Sequence, residues 1–187
     1  GAAMMDHHVV EPKDVVMGIA ASGTTTSVRG ELERARARGA TTGIIACSPP
    51  PENMRAAADI AIVPVVGPEA LTGSTRLKAG TATKMVCNML TTGAMVRVGK
   101  SYGNLMVDLR ATNVKLQDRA ERMVCEVTGV TREEARALLA AAEGRVKRAL
   151  VMQLLGVDKD TADAQLEAAG GVIRRVVPHA PPPVMGA

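Results

Sequence analysis

The sequence predicts an α/β fold in which a parallel sheet is covered by helices and followed by a small bundle of helices. Three observations predict it. Short, nearly continuous apolar runs recur three times within the first 65 residues, polar segments with helical spacing separate these runs, and the pattern becomes wholly helical from about residue 113. Continuous apolar runs are typical of strands buried on both faces, as in a parallel sheet between helices.

The three apolar runs are the predicted strands, and they cover Asp14–Ala20, Thr41–Cys47 and Asp59–Val65. Between the first two lies Thr24–Arg38, a polar segment whose apolar residues recur at helical spacing. Between the second and third lies Pro49–Ala58, which has helical character in its second half. The order strand–helix–strand–helix–strand is typical of a doubly wound α/β unit.

A long apolar segment follows the third predicted strand. From about Thr75 to Val98 apolar residues lie on almost every side of a helix, and a helix of that kind is normally buried. We therefore expect it to lie in the centre of the protein or at an interface. Because three strands leave an exposed sheet edge, we also expect another chain, or further sequence before Gly1, to complete the sheet.

The region after residue 113 predicts a bundle of short helices. Thr131 and Glu134 have the spacing of a capping box, Gly129 stands just before them as a helix stop, and Asp158 is placed to cap a later helix. The predicted organisation is an α/β unit over residues 1–112, a helical subdomain over 113–177 and a Pro-rich flexible tail over 178–187.

Composition narrows the classes of function. Apolar residues make up 47% of the 187 residues, which is enough for a sizeable core. Tyr102 is the one aromatic residue, so the chain has almost no platform on which nucleic-acid bases could stack, and we expect no nucleic-acid partner. The net charge of +4 suits an anionic small molecule instead.

Cysteine use and hydropathy indicate the compartment. Cys47, Cys87 and Cys125 stand far apart, which is typical of free thiols in a cytoplasmic protein. We see no signal peptide, and no stretch reaches the roughly 18 uninterrupted apolar residues of a membrane span. We therefore expect a cytoplasmic protein with no membrane partner.

The first candidate site is the segment GIAASGTT, Gly18–Thr25, which follows the first predicted strand and begins a helix. Its small residues permit a ligand to approach the backbone closely. Ser22, Thr24 and Thr25 add hydroxyl groups, and the helix N-terminus adds unpaired N–H groups and positive potential. These features are typical of a phosphate-binding loop, although an ordinary capped strand–helix turn has the same residue types.

The second candidate site is the segment GPEALTGSTRLKAGTATK, Gly67–Lys84. It brings one acid, Glu69, together with Ser74, Arg76 and Lys78 in a glycine-containing loop before a helix. From the residues alone, a ligand site and a capped helix with surface charges are equally good interpretations. Arg76 and Lys78 are two residues apart, so on a helix their side chains point in different directions.

These segments carry a resemblance to a known family. GIAASGTT resembles the phosphate-binding loop of the sugar isomerase (SIS) domain, in which small residues precede Ser-Gly and a further Ser or Thr. Gly67–Lys84 closely resembles the signature shared by the N-acetylmuramic acid 6-phosphate etherases and the glucokinase regulatory protein. Asn88–Leu116 and the later helices also resemble the bacterial etherases, so that the resemblance extends from Asp14 to Val177.

The resemblance implies a lyase. Etherases of this family cleave the D-lactyl ether of N-acetylmuramic acid 6-phosphate during peptidoglycan recycling. A base removes the proton next to the aldehyde of the opened ring, lactate leaves from the neighbouring carbon, and water adds there; a carboxylate pair performs this without metal or cofactor. The resemblance also implies a homodimer, a five-stranded parallel sheet, and a sugar 6-phosphate site at the C-terminal ends of its strands.

The sequence departs from the family pattern in two respects. The resemblance places another phosphate loop and two catalytic glutamates upstream of Gly1, so we expect no catalytic residue in this chain and no activity of the chain alone. Thr24 stands where many relatives have Arg, which bears on the strength and selectivity of phosphate binding. The predicted substrate contacts are Ser22, Gly23, Thr24 and Thr25, with Glu69, Ser74 and Arg76 as further candidates.

Other functions stay open at this point. A non-catalytic sugar-phosphate-binding regulator of the glucokinase regulatory protein type shares the second signature, although such regulators are longer and have duplicated domains. A general phosphosugar isomerase shares only the first motif. No metal site is predicted, because His7 and His8 lie near a terminus without a cluster of further ligands.

Overall fold

A computed structural model describes residues 1–179, which form two compact units, Gly1–Leu90 and the residues from Thr91 onward. The predicted α/β class is confirmed. The predicted domain boundary at residue 112 stays a prediction, and the predicted tail, 178–187, lies outside the described residues except for its first two.

The strands are β1 (Val15–Ile19), β2 (Thr41–Ile45) and β3 (Ile60–Ile62). The helices are α1 (Ala2–His7), α2 (Thr26–Ala37), α3 (Glu52–Arg55), α4 (Lys78–Arg97), α5 (Val114–Thr128), α6 (Arg132–Ala141), α7 (Val146–Leu155), α8 (Lys159–Ala168) and α9 (Ile173–Val176).

The first unit contains a parallel sheet in the order β1-β2-β3. Val15 pairs with Thr41 at one end of β1, and Ile19 pairs with Ile45 at the other. Each strand lies within its predicted apolar run but is shorter, because the flanking residues of the run lie in irregular backbone or bends. All three strands run in one direction, so their C-terminal ends lie at the same edge of the sheet, where open α/β sheets bind ligands.

The helices α2 and α3 pack on this sheet and form its core. The buried residues of that core come from α2, from β2 and the residue after it, and from the α3 region: Leu32, Ile44, Ala46, Met54 and Ala57. A polar contact joins β2 to the start of β3. The fully buried Thr42 donates from its backbone N–H and from its hydroxyl to Asp59 Oδ2, at 2.8 and 3.0 Å, which leaves neither buried polar group of Thr42 unsatisfied.

The helix α1 was not predicted from the sequence. It lies against α2, where the carboxylate of Asp6 accepts from Arg34 Nε at 2.7 Å and from Arg38 Nη2 at 2.8 Å. Both arginines belong to the polar segment Thr24–Arg38, which the sequence predicts to be helical. The apolar pattern of α1 is too short to predict a helix, so this packing could be recognised only in the structure.

The expected burial of the long apolar helix is not found within this chain. The helix α4 forms as predicted, but of its residues Ala79 and Val86 alone are buried. Its large side chains Met85, Met89 and Leu90 are 58%, 62% and 41% exposed. The alternative expectation, that α4 lies at an interface, stays a prediction. No helix within residues 1–179 is long and apolar enough to cross a membrane.

The second unit is held by helix caps and an apolar core, as the sequence predicts. Asn113 caps α5 by accepting from the N–H of Leu116 at 2.9 Å, and Gly129 ends that helix in the left-handed conformation with φ 74°. The capping box that begins α6 is confirmed at Thr131 and Glu134. The core is built from α5 to α9 and the segment before them, and its largest fully buried members are Tyr102, Val107, Val124, Val146, Leu150, Val151 and Ile173.

Two ion-pair clusters join the helices of this unit. Arg148 of α7, whose side chain is 7% exposed, pairs with Asp163 of α8 and with Glu143 at 2.8 Å. Glu143 also accepts from Lys159 at 2.9 Å. Between α5 and α6, the largely buried Glu121 accepts from two arginines, Arg132 and Arg136, and Arg132 also pairs with Asp118.

Candidate functional site

The loop between β1 and α2 has the geometry of an anion site. Residues 20–25 leave the C-terminal end of β1 and reach the first turn of a helix of 12 residues. The loop is anchored on β2, because Ala20 donates to Ile45 O at 3.0 Å and the N–H of Cys47 donates to Ala21 O at 2.9 Å. The N-terminus of α2 and its positive dipole end are therefore held at the sheet edge where ligands of such folds bind.

Gly23 is required for the shape of this loop. Its φ is +71°, in the left-handed region that favours glycine. A Cβ at this position would lie 2.8 Å from Pro50 Cβ and 2.9 Å from Pro50 Cα. Since that neighbour is backbone and a rigid ring, a side chain here would displace the loop. Packing against Pro50 therefore explains the glycine at position 23, and the predicted contact of Gly23 with a ligand stays a prediction.

Three exposed hydroxyl groups surround the start of α2. Ser22 Oγ lies 2.9 Å from Thr24 Oγ1, and the N–H of Thr24 donates to Ser22 Oγ at 3.3 Å. Thr25 is the N-cap residue of α2 but makes no capping hydrogen bond with its side chain. The first-turn N–H groups of α2 therefore do not donate to that hydroxyl, which leaves the helix end suited to an external anion.

Glu69 holds the start of α4. Its two carboxylate oxygens accept from the backbone N–H groups of Ala79 and Lys78, each at 2.9 Å. These hydrogen bonds, first that of Ala79 and then that of Lys78, hold the pKa of Glu69 below its ordinary value, and the charge of Lys78 acts in the same direction. The geometry gives Glu69 a helix-capping role, which is the structural alternative that the sequence left open.

Cys47 connects the two candidate segments. Its N–H bonds to Ala21 in the first loop, and its thiol lies 3.5 Å from the carbonyl oxygen of Ala79 and 3.5 Å from Thr83 Oγ1 in α4. The buried Cys47 therefore links the phosphate-type loop to the helix that Glu69 caps. Sequence reasoning missed this role; the only signal for it was the position of Cys47 at the end of a predicted strand.

The remaining predicted residues lie at the surface of the same unit. Ser74 is partly buried and donates from its backbone N–H to Leu71 O at 3.0 Å, whereas Arg76 is exposed. No described contact joins Ser74 or Arg76 to Ser22, Gly23, Thr24 or Thr25, so their contact with a sugar stays a prediction. Among residues 1–179, no cluster of three or more His, Cys, Asp or Glu side chains is arranged to hold a metal ion.

Comparison with known proteins supports the resemblance to the SIS domain and to the etherases. Residues 1–93 match the SIS domain. The N-acetylmuramic acid 6-phosphate etherase of Cronobacter sakazakii is 62% identical over 142 residues, which are 76% of this chain and 48% of that relative. Over three quarters of its length the chain is similar to N-acetylmuramic acid 6-phosphate etherases. The etherase of Salmonella typhimurium strain LT2 is 59% identical over 145 residues, 78% of this chain and 48% of that relative.

This similarity to etherases confirms the resemblance found in the two loop segments. The matching region is the C-terminal part of these etherases, and the chain spans about half the length of the curated relatives it matches. Since these relatives, at 62% and 59% identity, are named etherases, the regulatory alternative is not favoured.

Proposed function

We propose that this chain is the sugar-phosphate-binding, C-terminal part of an N-acetylmuramic acid 6-phosphate etherase. Such a lyase acts in the recycling of amino sugars from peptidoglycan, and we place the protein in the cytoplasm because its three cysteines are free. The observation that carries the proposal is the 62% identity over 142 residues to an etherase. The loop before α2 supports it, because it supplies a binding site for the phosphate that distinguishes this substrate.

In the proposed complex the 6-phosphate lies at the N-terminus of α2. The hydroxyls of Ser22, Thr24 and Thr25 donate to its oxygens, and first-turn N–H groups of α2 complete the contacts. Gly23, packed against Pro50, fixes the shape of the loop that presents these hydroxyls. The phosphate does not react; its binding fixes the position of the sugar ring, and the free energy of that binding is used to orient the reacting carbons.

The acid and the base of the elimination are not assigned to this chain. Proton removal next to the aldehyde and proton donation to the leaving lactate need groups with a pKa near the working pH. Glu69 does not meet this need, because both its oxygens are occupied by backbone N–H groups and its pKa is lowered. We assign the acid–base pair to the part of the etherases that this chain does not span.

Binding of N-acetylmuramic acid 6-phosphate by calorimetry tests the phosphate site. Thr24→Val removes one proposed phosphate donor and should weaken binding about tenfold, the effect of losing one charge-assisted hydrogen bond. Thr41→Val is the matched control, because Thr41 is exposed at the opposite, N-terminal end of β2, and its affinity should equal that of the parent chain. Equal affinities of the two variants would contradict the proposed contacts.

We also propose that the chain forms a homodimer. The support is the uncovered face of α4, where Met85 and Met89 are more than half exposed. Apolar surface left in water costs about 25 cal/mol per Å², and a row of large apolar side chains on one helix is typical of an interface. A second copy of the chain that packs against this face would bury these side chains.

A further inference from the structure

We propose that the second unit binds a phosphate group in a cavity between two backbone segments, Val107–Arg110 and Arg145–Arg148. The cavity has a volume of about 510 Å³, and Asp163 and Leu166 of α8 complete its lining. Pockets for small molecules typically measure about 300–1,000 Å³, so this cavity has room for a phosphate ester. None of its residues belongs to the loop before α2.

Two of the three arginines that line this cavity are placed directly opposite each other. Arg110 and Arg145 form an isolated antiparallel bridge, and residues paired in this way direct their side chains to the same side of the backbone, with Cβ atoms about 5 Å apart. Like charges in that position are destabilising unless an anion lies between them. Within residues 1–179 no hydrogen bond or ion pair involves either guanidinium group.

The carboxylates of the cavity are already engaged by other cations. Asp108 accepts from Lys100 at 2.6 Å and lies 3.8 Å from Lys147, while Asp163 pairs with Arg148. A hydrogen bond from Lys100 lowers the pKa of Asp108, and a hydrogen bond from Arg148 lowers the pKa of Asp163. Both acids therefore stay charged, and the positive charges of their partners compensate these negative charges.

The remaining charges around the cavity leave an excess of positive potential. Glu143 lines a neighbouring cavity together with Arg110 and Arg145, and its carboxylate pairs with Lys159 and Arg148. Arg145 acts on Asp163 only at longer range, without a direct ion pair. The helix α7 begins at the wall of the proposed phosphate cavity and adds the positive end of its dipole. The uncompensated charge is consequently that of Arg110 and Arg145.

A phosphate group is the ligand that suits two opposed arginines. Each planar guanidinium presents a fork of N–H donors that matches two phosphate oxygens, and a doubly charged phosphate neutralises both side chains at once. Free phosphate and the phosphate of a small sugar ester share this chemistry. The sugar of a phosphate ester would also fill the rest of the cavity, whereas free phosphate would leave that space to water.

Nuclear magnetic resonance on the ¹⁵N-labelled chain tests the proposal with inorganic phosphate and with glucose 6-phosphate, titrated separately at constant ionic strength. We expect the amide signals of Val146–Arg148 to shift and saturate with either probe. Tighter binding of glucose 6-phosphate would identify a phosphate ester as the ligand, and equal affinities would identify free phosphate. The signals of Gly23–Thr25 report the loop before α2 independently, so failure at one site does not affect the other.

Single substitutions decide whether the arginines bind the probe. Arg110→Ala and Arg145→Ala should each weaken the saturable shift at Val146–Arg148 about tenfold. Arg97→Ala removes an exposed arginine of α4 that does not line the cavity, and its affinity should stay within about twofold of the parent. No saturable shift at this segment with either probe, or unchanged affinity in both cavity variants with folding confirmed by circular dichroism, would overturn the proposal.

Discussion

At the scale of single residues, the candidate site depends on groups whose roles differ although the sequence places them in similar loops. Ser22, Thr24 and Thr25 are exposed at a helix N-terminus and available to a ligand. Glu69, in contrast, uses both its oxygens to hold the N–H groups of Lys78 and Ala79. The same chemistry, an oxygen at a helix N-terminus, thus serves structure at Glu69, and we propose that it serves binding in the loop before α2.

Glu69→Gln tests this division. The amide offers a single acceptor oxygen and no charge, so the start of α4 loses one bond and the melting temperature should fall by about 2–4 °C, the shift expected for one helix cap in a chain of this size. Binding of N-acetylmuramic acid 6-phosphate should be retained. Glu167→Gln, at an exposed position of α8, is the control and should leave the melting temperature unchanged. A variant with unaltered stability but abolished binding would make Glu69 a sugar contact.

Some of these residues could be predicted from the sequence and others could not. Small residues and hydroxyls before a helix identified Ser22 to Thr25, because that pattern has a direct chemical meaning. Position 23 requires glycine because a side chain there would clash with Pro50, which is distant in the sequence. Cys47 acts through contacts with Ala21 and Ala79 that only the folded sheet brings together. Local pattern therefore predicts local capping and loop chemistry but not contacts between segments.

At the scale of secondary structure elements, the strongest predictions came from caps. The capping box at Thr131 and Glu134 and the cap at Asp158 are both present, since each needs only residues within one turn. The helix α1 was missed, because its six residues carry no periodic signal. The burial of α4 could not be predicted reliably, because an apolar helix sequence does not show whether the residues that pack on it belong to the same chain or to another one.

The junction of α6, α7 and α8 should make the second unit acid-sensitive. Hydrogen bonds first from Lys159 and then from Arg148 lower the pKa of Glu143 to about 2, and the bond from Arg148 lowers that of Asp163. A carboxylate with a depressed folded pKa stabilises the fold above its unfolded pKa of about 4.5, and this stabilisation is lost as the pH falls towards 2.

Chemical denaturation between pH 6 and pH 3 measures this loss, and Glu143→Gln provides the comparison. The parent chain should lose stability across the interval, whereas the variant should start lower and depend less on pH, because one of the titrating groups is gone. An identical pH dependence in the two proteins would show that Glu143 contributes nothing to the junction.

At the scale of the whole molecule, the uncovered face of α4 predicts self-association. Sedimentation of the 187-residue chain should show a dimer, and Met85→Glu with Met89→Glu should shift it towards monomer, because a buried interface does not accept two unpaired carboxylates. The control is Lys84→Glu, an exposed polar position of the same helix, which should leave the dimer intact. A parent chain that sediments as a monomer would remove the homodimer from the account.

The most direct measurement combines binding and turnover on one sample of the chain. N-acetylmuramic acid 6-phosphate is added, its binding is followed by calorimetry, and released D-lactate is assayed enzymatically. We predict saturable binding that Thr24→Val weakens, together with no release of D-lactate, since we propose that this chain binds the phosphate and that the acid–base pair lies in the part of the etherases that it does not span. Release of D-lactate by the chain alone would contradict the account, because it would require the catalytic groups to lie within these residues.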